Sequence, residues 1–372
     1  MPTSFGATPQ GTERFQKRFR KILHANKSRL LQDLHVSAIA LGTYLGHHDD
    51  TTDRLSENAV CDVIERGCNF IDTAINYRCQ RSERSIGKAL KTLFDQKKIA
   101  RDEVVVATKG GFIPFDGEPV ANMEEAIQKR WITPKIIERE DIVASCHCLH
   151  PAYLQDQIDT SLTNLGLKTI DIYYLHNPET QLSALSTEIF YERLNQAFAL
   201  LEENVSRGKI QYYGLATWSA FREPTTNREV ISLEKVMALA VKVGGEKHHL
   251  RAIQLPYNMA MLEALGVANQ EFQGKKYPIL PVAHNFGLSV MISTPLLQGQ
   301  LLKLPVALVK KLTHSQTVAQ SALQFVVSTP GITTALVGMK QKAHIEENLK
   351  VLTMPNWDAA TLQGVCDSLI KK

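Results

Sequence analysis

The stretch FIDTAINYRCQRSERSIGKAL, residues 70–90, decides the fold, because it contains the end of one element and the start of the next. Its apolar beginning predicts a short buried strand at residues 69–74, and Asp72 lies near the end of that strand. The amphipathic remainder predicts a helix at residues 81–96. A single Asp after a strand is commonly a turn or cap residue, so the rest of the chain decides what Asp72 does.

The rest of the chain repeats this alternation of strand and helix. Continuously apolar runs, typical of strands covered on both faces, lie at residues 37–44, 69–74, 103–111, 170–176, 211–217, 250–258, 288–294 and 333–339. Helical patterns follow at residues 56–67, 81–96, 152–166, 190–208, 231–244, 279–286, 317–331, 344–352 and 357–371. We expect Ser56 to cap the first of these helices and Gly67 to end it.

About eight strand–helix units predict an α/β protein that forms a single (β/α)8 barrel, the TIM barrel. The structural competitor is a doubly wound open sheet. That fold is expected to carry a Gly-x-Gly-x-x-Gly turn after its first strand, and the turn is absent there. The sequence therefore favours the barrel.

Two long segments interrupt the alternation, residues 112–150 after the third strand and residues 259–277 after the sixth. Loops that leave the carboxyl ends of barrel strands surround the mouth, so we expect both segments above the active site. The predicted organisation is an N-terminal extension, residues 1–30, and one barrel over residues 31–372. The extension is basic, and a solvated segment packed on the outside of the fold is favoured over a targeting or membrane-surface element.

The composition is that of a soluble globular protein. Of the 372 residues 44% are hydrophobic, and the net charge of +4 is too small and dispersed to indicate nucleic-acid binding. No apolar run reaches the length of a membrane span. The six cysteines contain no Cys-x-x-Cys pair, which indicates a reduced, intracellular protein that we expect to be cytoplasmic.

Four polar residues occupy the ends of neighbouring predicted strands. Asp72, Lys109 and His176 end the second, third and fourth strands, and Tyr77 follows the second. In a barrel these positions converge on the mouth. Because burying Lys109 and Asp72 apart would be costly, we expect them to pair.

Together these four groups suit proton transfer to a carbonyl oxygen. A phenol has a pKa of about 10, and a nearby ammonium on Lys109 should lower that of Tyr77. Asp72 would keep the lysine charged, and His176 would direct an N–H at the carbonyl oxygen. The set contains no hydride source, so a reductive reaction requires a cofactor.

The sequence resembles the aldo-keto reductase superfamily from about residue 30 to residue 355. The resemblance lies in DTAINY (72–77), VATKGG (106–111), YYLH (173–176), QLPYN (254–258), STPLLQGQL (293–301) and HIEENL (344–349). It implies a catalytic tetrad of Asp72, Tyr77, Lys109 and His176, with tyrosine as general acid and base. It also implies an NAD(P)H-dependent oxidoreductase that interconverts a carbonyl compound and an alcohol, with NADP preferred over NAD.

The resemblance further implies a set of cofactor contacts. They are Gly42, Thr43, Asp72, Thr217, Gln254, Ser293, Thr294, Leu296, Gln298, Gly338, Lys340, His344, Glu347 and Asn348. The chain departs from the family pattern at several of them. Thr217 stands where an asparagine is usual, Ser293 replaces an aromatic residue, and His344 replaces the arginine near the 2′-phosphate. We expect Lys340 to help supply the missing positive charge.

The loops indicate further candidates and leave alternatives open. Tyr44, Trp131 and His147 are candidate substrate contacts. The cysteines and histidines of SCHCLHP, residues 145–151, suggest zinc, but adjacent residues rarely chelate one ion well, so no metal site is expected.

We also considered two other functions. A Schiff-base aldolase using Lys109 is disfavoured because Asp72 would keep that lysine charged. The remaining alternative is a cofactor-binding, redox-sensing regulatory subunit with little turnover. The only partner expected for the enzyme is a small carbonyl or alcohol substrate, with no nucleic acid.

Overall fold

The computed structural model describes residues 6–303 and 317–370, and its eight parallel strands close into the expected barrel. In chain order they are β1 Ile39–Gly42, β2 Phe70–Asp72, β3 Val105–Gly110, β4 Ile170–His176, β5 Ile210–Ala216, β6 Leu250–Pro256, β7 Ser289–Ser293 and β8 Thr334–Gly338. Pairing of β8 with β1 closes the ring, from Ala335 opposite Ile39 to Gly338 opposite Gly42. The predicted TIM barrel is confirmed.

Helices surround the strands in the predicted order. They are α1 Asp50–Glu65, α2 Arg81–Asp95, α3 Pro151–Leu165, α4 Thr187–Ser206, α5 Leu233–Gly244, α6 Ile279–Asn285, α7 Val318–Ser328 and α8 Lys342–Leu349, followed by a C-terminal helix Ala359–Ile370. The predicted end of that last helix, residue 371, lies outside the described residues. No helix in the described part of the chain is both long and apolar enough to cross a membrane.

The start of α1 corrects the sequence prediction. Asp49, not Ser56, caps the helix, and its carboxylate accepts the Thr52 amide N–H at 2.7 Å. Ser56 lies inside the helix, where its hydroxyl donates to the Thr52 carbonyl at 2.8 Å. Gly67, with φ of +92°, follows the end of the helix as expected.

The N-terminal extension is built into the barrel. A helix, Pro9–Phe19, buries Phe15 completely, and its Arg14 guanidinium contacts Asp102 at 2.7 Å and Glu103 at 2.8 Å. A hairpin of Ser28–Leu31 and Leu34–Ser37 follows. The predicted boundary after residue 30 therefore falls inside this hairpin, and residues 1–5 of the extension lie outside the described residues.

The insertion at residues 112–150 has a small core of its own. It contains a helix, Met123–Ile127, and a two-stranded hairpin of Ile142–Val143 and His147–Cys148. Trp131 is 1% exposed and packs in an apolar cluster with Ile127, Ile137 and Tyr153. The second interruption, residues 259–277, forms a short helix, Glu263–Gly266, and a hairpin of Gln270–Phe272 and Lys275–Tyr277.

Apolar side chains fill the barrel interior and leave polar groups at the carboxyl ends of the strands. The interior cluster includes Phe70, Val105, Ile172, Tyr174 and Met291, all fully buried. Because this layer is closely packed, the strand ends above it are held in fixed positions.

Candidate active site

Lys109 and Asp72 form a buried ion pair at the ends of β3 and β2. The lysine is 0% exposed, and its Nζ lies 2.6 Å from Asp72 Oδ2 and 2.7 Å from the Thr73 carbonyl oxygen. The other oxygen, Asp72 Oδ1, accepts a hydrogen bond from Gln254 Nε2 at 2.8 Å. Each charge therefore has more than one partner, as a buried ion requires.

The pKa values of both partners are raised, and the two shifts favour different charge states. The shift of Asp72 favours a neutral carboxyl group, whereas the shift of Lys109 favours a charged ammonium. Burial raises the pKa of Asp72 despite the opposing ammonium of Lys109. Burial acts to lower the pKa of Lys109, but the Asp72 carboxylate opposes it and the net shift is upward. We assign a charged pair, because the 2.6 Å contact and the Gln254 hydrogen bond both stabilise the carboxylate.

Tyr77 lies on the loop after β2, directly beside this pair. Its ring centroid is 4.8 Å from Lys109 Nζ, 5.7 Å from the His176 ring and 5.0 Å from the Tyr44 ring. Burial raises the pKa of Tyr77 by more than Lys109 lowers it, so the net shift is upward. The prediction of a lowered pKa for Tyr77 is wrong in its net direction, because desolvation of the phenolate outweighs the ammonium.

His176 ends β4 and is held as a neutral imidazole. Burial is the main reason that its pKa lies well below the ordinary value, with further contributions from Lys109 and His147. Its Nδ1 is buried and has no hydrogen-bond partner among the described residues. A neutral ring beside the Tyr77 phenol can donate an N–H to an oxygen without carrying a charge of its own.

A cavity of about 540 Å³ extends from these residues along the carboxyl ends of the strands. Most of the predicted site residues line it: Gly42, Thr43, Tyr44, Asp72, Tyr77, His176, Thr217, Gln254, Ser293, Thr294, Leu296, Gln298, Gly338, His344, Glu347 and Asn348. Lys109 lies behind the wall, where it contacts Asp72. Residues separated by more than 270 positions thus share one continuous surface.

The part of the cavity formed by the loop after β7 is suited to bind a diphosphate. Thr294, Leu297 and Gln298 all have positive φ, as has Gly299. Successive left-handed residues of this kind turn backbone N–H groups into an anion-binding concavity. The Thr294 hydroxyl oxygen is buried and has no hydrogen-bond partner among residues 6–303 and 317–370, so it is available to a ligand.

Three predicted cofactor contacts are engaged within the protein. Lys340 Nζ donates to the Leu45 carbonyl oxygen at 2.5 Å, and Lys340 does not line the cavity. The Thr217 hydroxyl donates to the Gln254 carbonyl oxygen at 3.4 Å. The Gln254 amide nitrogen donates to Asp72, so this side chain holds the Asp72 carboxylate as well as facing the cavity.

Two predicted substrate contacts lie away from the cavity. Trp131 is buried in the core of the insertion, and its indole N–H donates to the Asp156 carboxylate at 3.0 Å. His147 is completely buried below His176. Both were chosen because the insertion was expected above the mouth, but their side chains point into its packing interface instead.

Sequence reasoning missed several residues that line the cavity: Asn76, Phe112, Asn177, Trp218 and Leu302. All five adjoin predicted site residues or motifs, so proximity along the sequence to those residues was the available signal. Tyr44 and Trp218 are 55% and 43% exposed. These two rings give the mouth an aromatic rim.

A buried carboxyl group, Glu179, holds the loop that carries Trp218. One carboxyl oxygen accepts the amide N–H of Trp218 at 2.5 Å and that of Ser219 at 3.1 Å. Burial raises the pKa of Glu179 to about 7. Its second oxygen is buried without a hydrogen-bond partner in the described part of the chain, which accords with a proton on that oxygen.

The SCHCLHP cluster does not form a metal site in the described structure. Within residues 6–303 and 317–370, no group of three or more histidine, cysteine, aspartate or glutamate side chains is arranged to hold a metal ion. His147 instead makes hydrogen bonds to the protein. The absence of a resident metal stays a prediction.

Comparison with known proteins identifies a family. Residues 38–365 match the family model described as the Aldo/keto reductase family. An Escherichia coli protein named NADH-specific methylglyoxal reductase is 27% identical over 193 residues, 50% of this chain and 50% of the relative. The chain spans about half the length of the first curated relatives it matches.

Two further comparisons cover more of the chain. A Schizosaccharomyces pombe protein with the provisional name of a voltage-gated potassium channel subunit beta is 24% identical over 337 residues, 86% of this chain and 85% of the relative. The structure of an aldo/keto reductase from Klebsiella pneumoniae in complex with NADP and acetate has a TM-score of 0.62 at 20% identity. It covers 92% of this chain and 95% of that one, and the likeness shows the shared fold.

Proposed function

Because the chain belongs to the aldo/keto reductase family, we propose that it interconverts a carbonyl compound and the corresponding alcohol with a nicotinamide cofactor. The observation that carries the proposal is the convergence of the Lys109–Asp72 ion pair, Tyr77 and His176 on one wall of the cavity. The family match supports an oxidoreductase.

The proposed role of Tyr77 is to protonate the carbonyl oxygen during reduction. Its raised pKa keeps the phenol protonated at neutral pH, which is the form that a general acid needs. The Lys109 ammonium, 4.8 Å from the ring centroid, stabilises negative charge that develops on the phenol oxygen. In the direction of alcohol oxidation the same phenol must first lose its proton, so that direction should accelerate with rising pH.

The neutral His176 would orient the substrate. An imidazole N–H directed at the carbonyl oxygen fixes the position of that oxygen beside Tyr77. Because the pKa of His176 is well below its ordinary value, this group keeps the same charge throughout the physiological pH range.

We propose NADP as the cofactor, with NAD as the alternative. A nicotinamide cofactor supplies the hydride that the protein side chains lack. Thr294 and the left-handed residues Leu297 and Gln298 would hold its diphosphate, and His344, Glu347 and Asn348 would contact its adenosine end. The Klebsiella structure contains NADP and the E. coli relative is named as NADH-specific, so the preference must be measured.

The test is a fluorescence titration of the purified protein with NADPH and with NADH at equal ionic strength, followed by an assay of cofactor oxidation with a panel of aldehydes and ketones. We expect tighter binding of NADPH and carbonyl-dependent oxidation. Tighter binding of NADH would correct the cofactor assignment alone. Binding of neither nucleotide would overturn the oxidoreductase proposal.

The second candidate is a regulatory subunit that binds the cofactor with little turnover. The similarity to the S. pombe protein across 86% of the chain favours it. Nucleotide binding without carbonyl-dependent oxidation across the whole panel would support this alternative. A Schiff-base aldolase has less support, since the Lys109 ammonium is bound to Asp72 and to the Thr73 carbonyl.

A further inference from the structure

A chain of hydrogen bonds runs from α4 through the insertion to the backbone of His176. The ring of His147 lies in the middle of it, with Nε2 2.8 Å from the His176 carbonyl oxygen and Nδ1 2.9 Å from Gln181 Nε2. Gln181 Oε1 accepts from the Arg193 guanidinium at 2.9 Å. His147 and Gln181 are both completely buried, so water does not compete for these contacts.

The donor chemistry of Arg193 fixes the direction of each hydrogen bond from Arg193 through Gln181 and His147 to His176. Arg193 can only donate, so the atom of Gln181 that faces it must be the amide oxygen. The amide nitrogen of Gln181 then faces His147 Nδ1, which must accept. The imidazole proton therefore resides on Nε2, from which it is donated to the His176 carbonyl oxygen.

The guanidinium that begins the chain is itself held by the insertion. Arg193 also donates to the carbonyl oxygens of Asp141 at 3.0 Å and Glu140 at 3.1 Å. Burial lowers the pKa of His147 to about 4, so the ring stays neutral and keeps one proton at neutral pH. The hydrogen-bond directions are therefore constant over the range in which an enzyme of this kind works.

The packing around His147 requires this close approach. Gly111 has φ of +131°, and a Cβ atom placed there would lie 2.8 Å from His147 Nε2 and 3.3 Å from the His176 carbonyl oxygen. The Phe112 ring contacts both histidine rings, with centroids 5.0 Å apart in each case. The second glycine of VATKGG and the aromatic residue after it thus create the space in which the two histidines meet.

We propose that His147, oriented by Gln181 and Arg193, is a positioning residue that sets the place of His176 in the active site. His147 acts through its hydrogen bond to the backbone carbonyl of His176 at the end of β4. One role of the insertion at residues 112–150 is to place His147 at this position. The inference rests on the proposed carbonyl–alcohol reaction for its effect on rate, but the hydrogen-bond arrangement itself does not depend on turnover.

The sharpest test replaces Gln181 by its isosteric acid. In Gln181→Glu the carboxylate faces both Arg193 and His147 Nδ1, so it attracts the imidazole proton to Nδ1 and raises the pKa of His147. Above that new pKa, Nε2 presents a lone pair to the His176 carbonyl oxygen and the contact becomes repulsive. Protonation at lower pH restores the N–H on Nε2.

We expect kcat of Gln181→Glu to be about tenfold below wild type near pH 9 and to recover toward about pH 6, with cofactor affinity unchanged. Gln128→Glu makes the same chemical change at an exposed site of the insertion and should follow the wild-type profile. A Gln181→Glu profile parallel to that of wild type would overturn the proposal. Loss of activity at every pH together with a lowered melting temperature would indicate a merely structural role and would also overturn it.

Nitrogen-15 NMR of the histidine side chains tests the arrangement without turnover. The wild-type protein should show His147 as a neutral ring with its proton on Nε2, and the Gln181→Glu variant should show a new ionisation of that ring. A proton on Nδ1 in the wild type would contradict the inference. If the wild type lacks carbonyl-dependent activity but the NMR result holds, the proposed function fails and the positioning of His176 stands.

Discussion

The two ends of the cavity are built by different means. At the tetrad end, side chains on β2, β3 and β4 are buried and bound to one another, as in the contact between Lys109 and Asp72. At the far end, the ligand would meet backbone in left-handed conformation near Gln298 and the exposed side chain of His344. We infer that a buried network would hold the groups of the proposed reaction, whereas the loop after β7 and the exposed His344 on α8 would recognise the cofactor.

The largest expected effect removes the proton donor from the buried end. Tyr77→Phe should lower kcat by about 10³-fold or more, because Tyr77 is the phenol of the cavity whose ring lies beside the Lys109 ammonium. NADPH affinity should stay within about threefold of wild type, since the phenyl ring is retained. The measurement pairs steady-state cofactor oxidation with fluorescence titration.

Tyr44→Phe is the matched control, because Tyr44 also lines the cavity and packs on Tyr77 with ring centroids 5.0 Å apart. It should retain activity within a small factor of wild type. Equal loss of activity in both variants would contradict the assignment of Tyr77 as the acid.

The second prediction concerns the ion pair, where a single and a double variant distinguish a loss of stability from a loss of activity. Asp72→Asn leaves the fully buried Lys109 ammonium without its counter-charge and should lower the free energy of unfolding by about 3–5 kcal/mol. The double variant Asp72→Asn with Lys109→Met should regain much of that stability and remain inactive. Chemical denaturation and the rate assay check both parts, and an active double variant would refute the role of the pair.

The fold was predictable because the barrel repeats one simple pattern. Continuous apolar strands and amphipathic helices alternate, so each of the eight strands was located to within a few residues. The start of α1 was missed because residues 49–55 contain a single apolar side chain, Leu55, and so show no helical period. The extension was expected to pack on the outside of the fold, but its helix was not predicted. Basic residues dominate this segment, so the sequence does not indicate that Phe15 is buried or that Arg14 pairs with Asp102 and Glu103.

The convergence of the four candidate residues was predictable to the extent that they lie at or near strand ends, whereas their catalytic role stays a prediction. Asp72, Lys109 and His176 followed from position and residue type, and Tyr77 from its distance to Asp72. The direction of the side chains in the insertion was not predictable. Trp131 is buried in the apolar cluster of the insertion, and His147 is buried by its contacts with Phe112, Gln181 and the His176 backbone. No periodic pattern in the sequence indicates either arrangement.

The third effect concerns the loop that supports the aromatic rim. The pKa of Glu179 is raised from its ordinary value of 4.5 to about 7, so the folded state binds the proton more tightly than the unfolded state. This contribution to stability is fully present below about pH 4.5 and is lost as the pH rises toward 7. Glu179→Gln does not ionise, and it should remove a pH-dependent change of about 3 kcal/mol in the free energy of unfolding.

The measurement is chemical denaturation of wild type and Glu179→Gln at several pH values between about 4.5 and 8. Glu192→Gln, at an exposed position of α4, serves as the control for the same substitution. If Glu179→Gln keeps the whole pH dependence of the wild type, Glu179 is ionised in the folded protein and the assignment of its proton is wrong.

The smallest expected effect lies on the rim itself. Trp218 is 43% exposed at the cavity, so Trp218→Ala should raise KM for the carbonyl substrate by about five- to tenfold and leave kcat nearly unchanged. Cofactor affinity should not change. A large loss of kcat with constant KM would show that Trp218 acts in the catalytic step and not in substrate binding. The proposed separation between the residues of catalysis and those of recognition would then be wrong.

The proposed reaction requires hydride transfer within the cavity that Asp72, Tyr77 and His176 line. The decisive measurement is incubation of the wild-type protein with NADPH that carries deuterium at both C4 positions of the nicotinamide and a reducible aldehyde, with mass spectrometry of the alcohol. The account predicts one deuterium on the carbinol carbon, and none above background when Tyr77→Phe replaces the wild type. Alcohol without deuterium, or no alcohol from any aldehyde while NADPH binds, would contradict it.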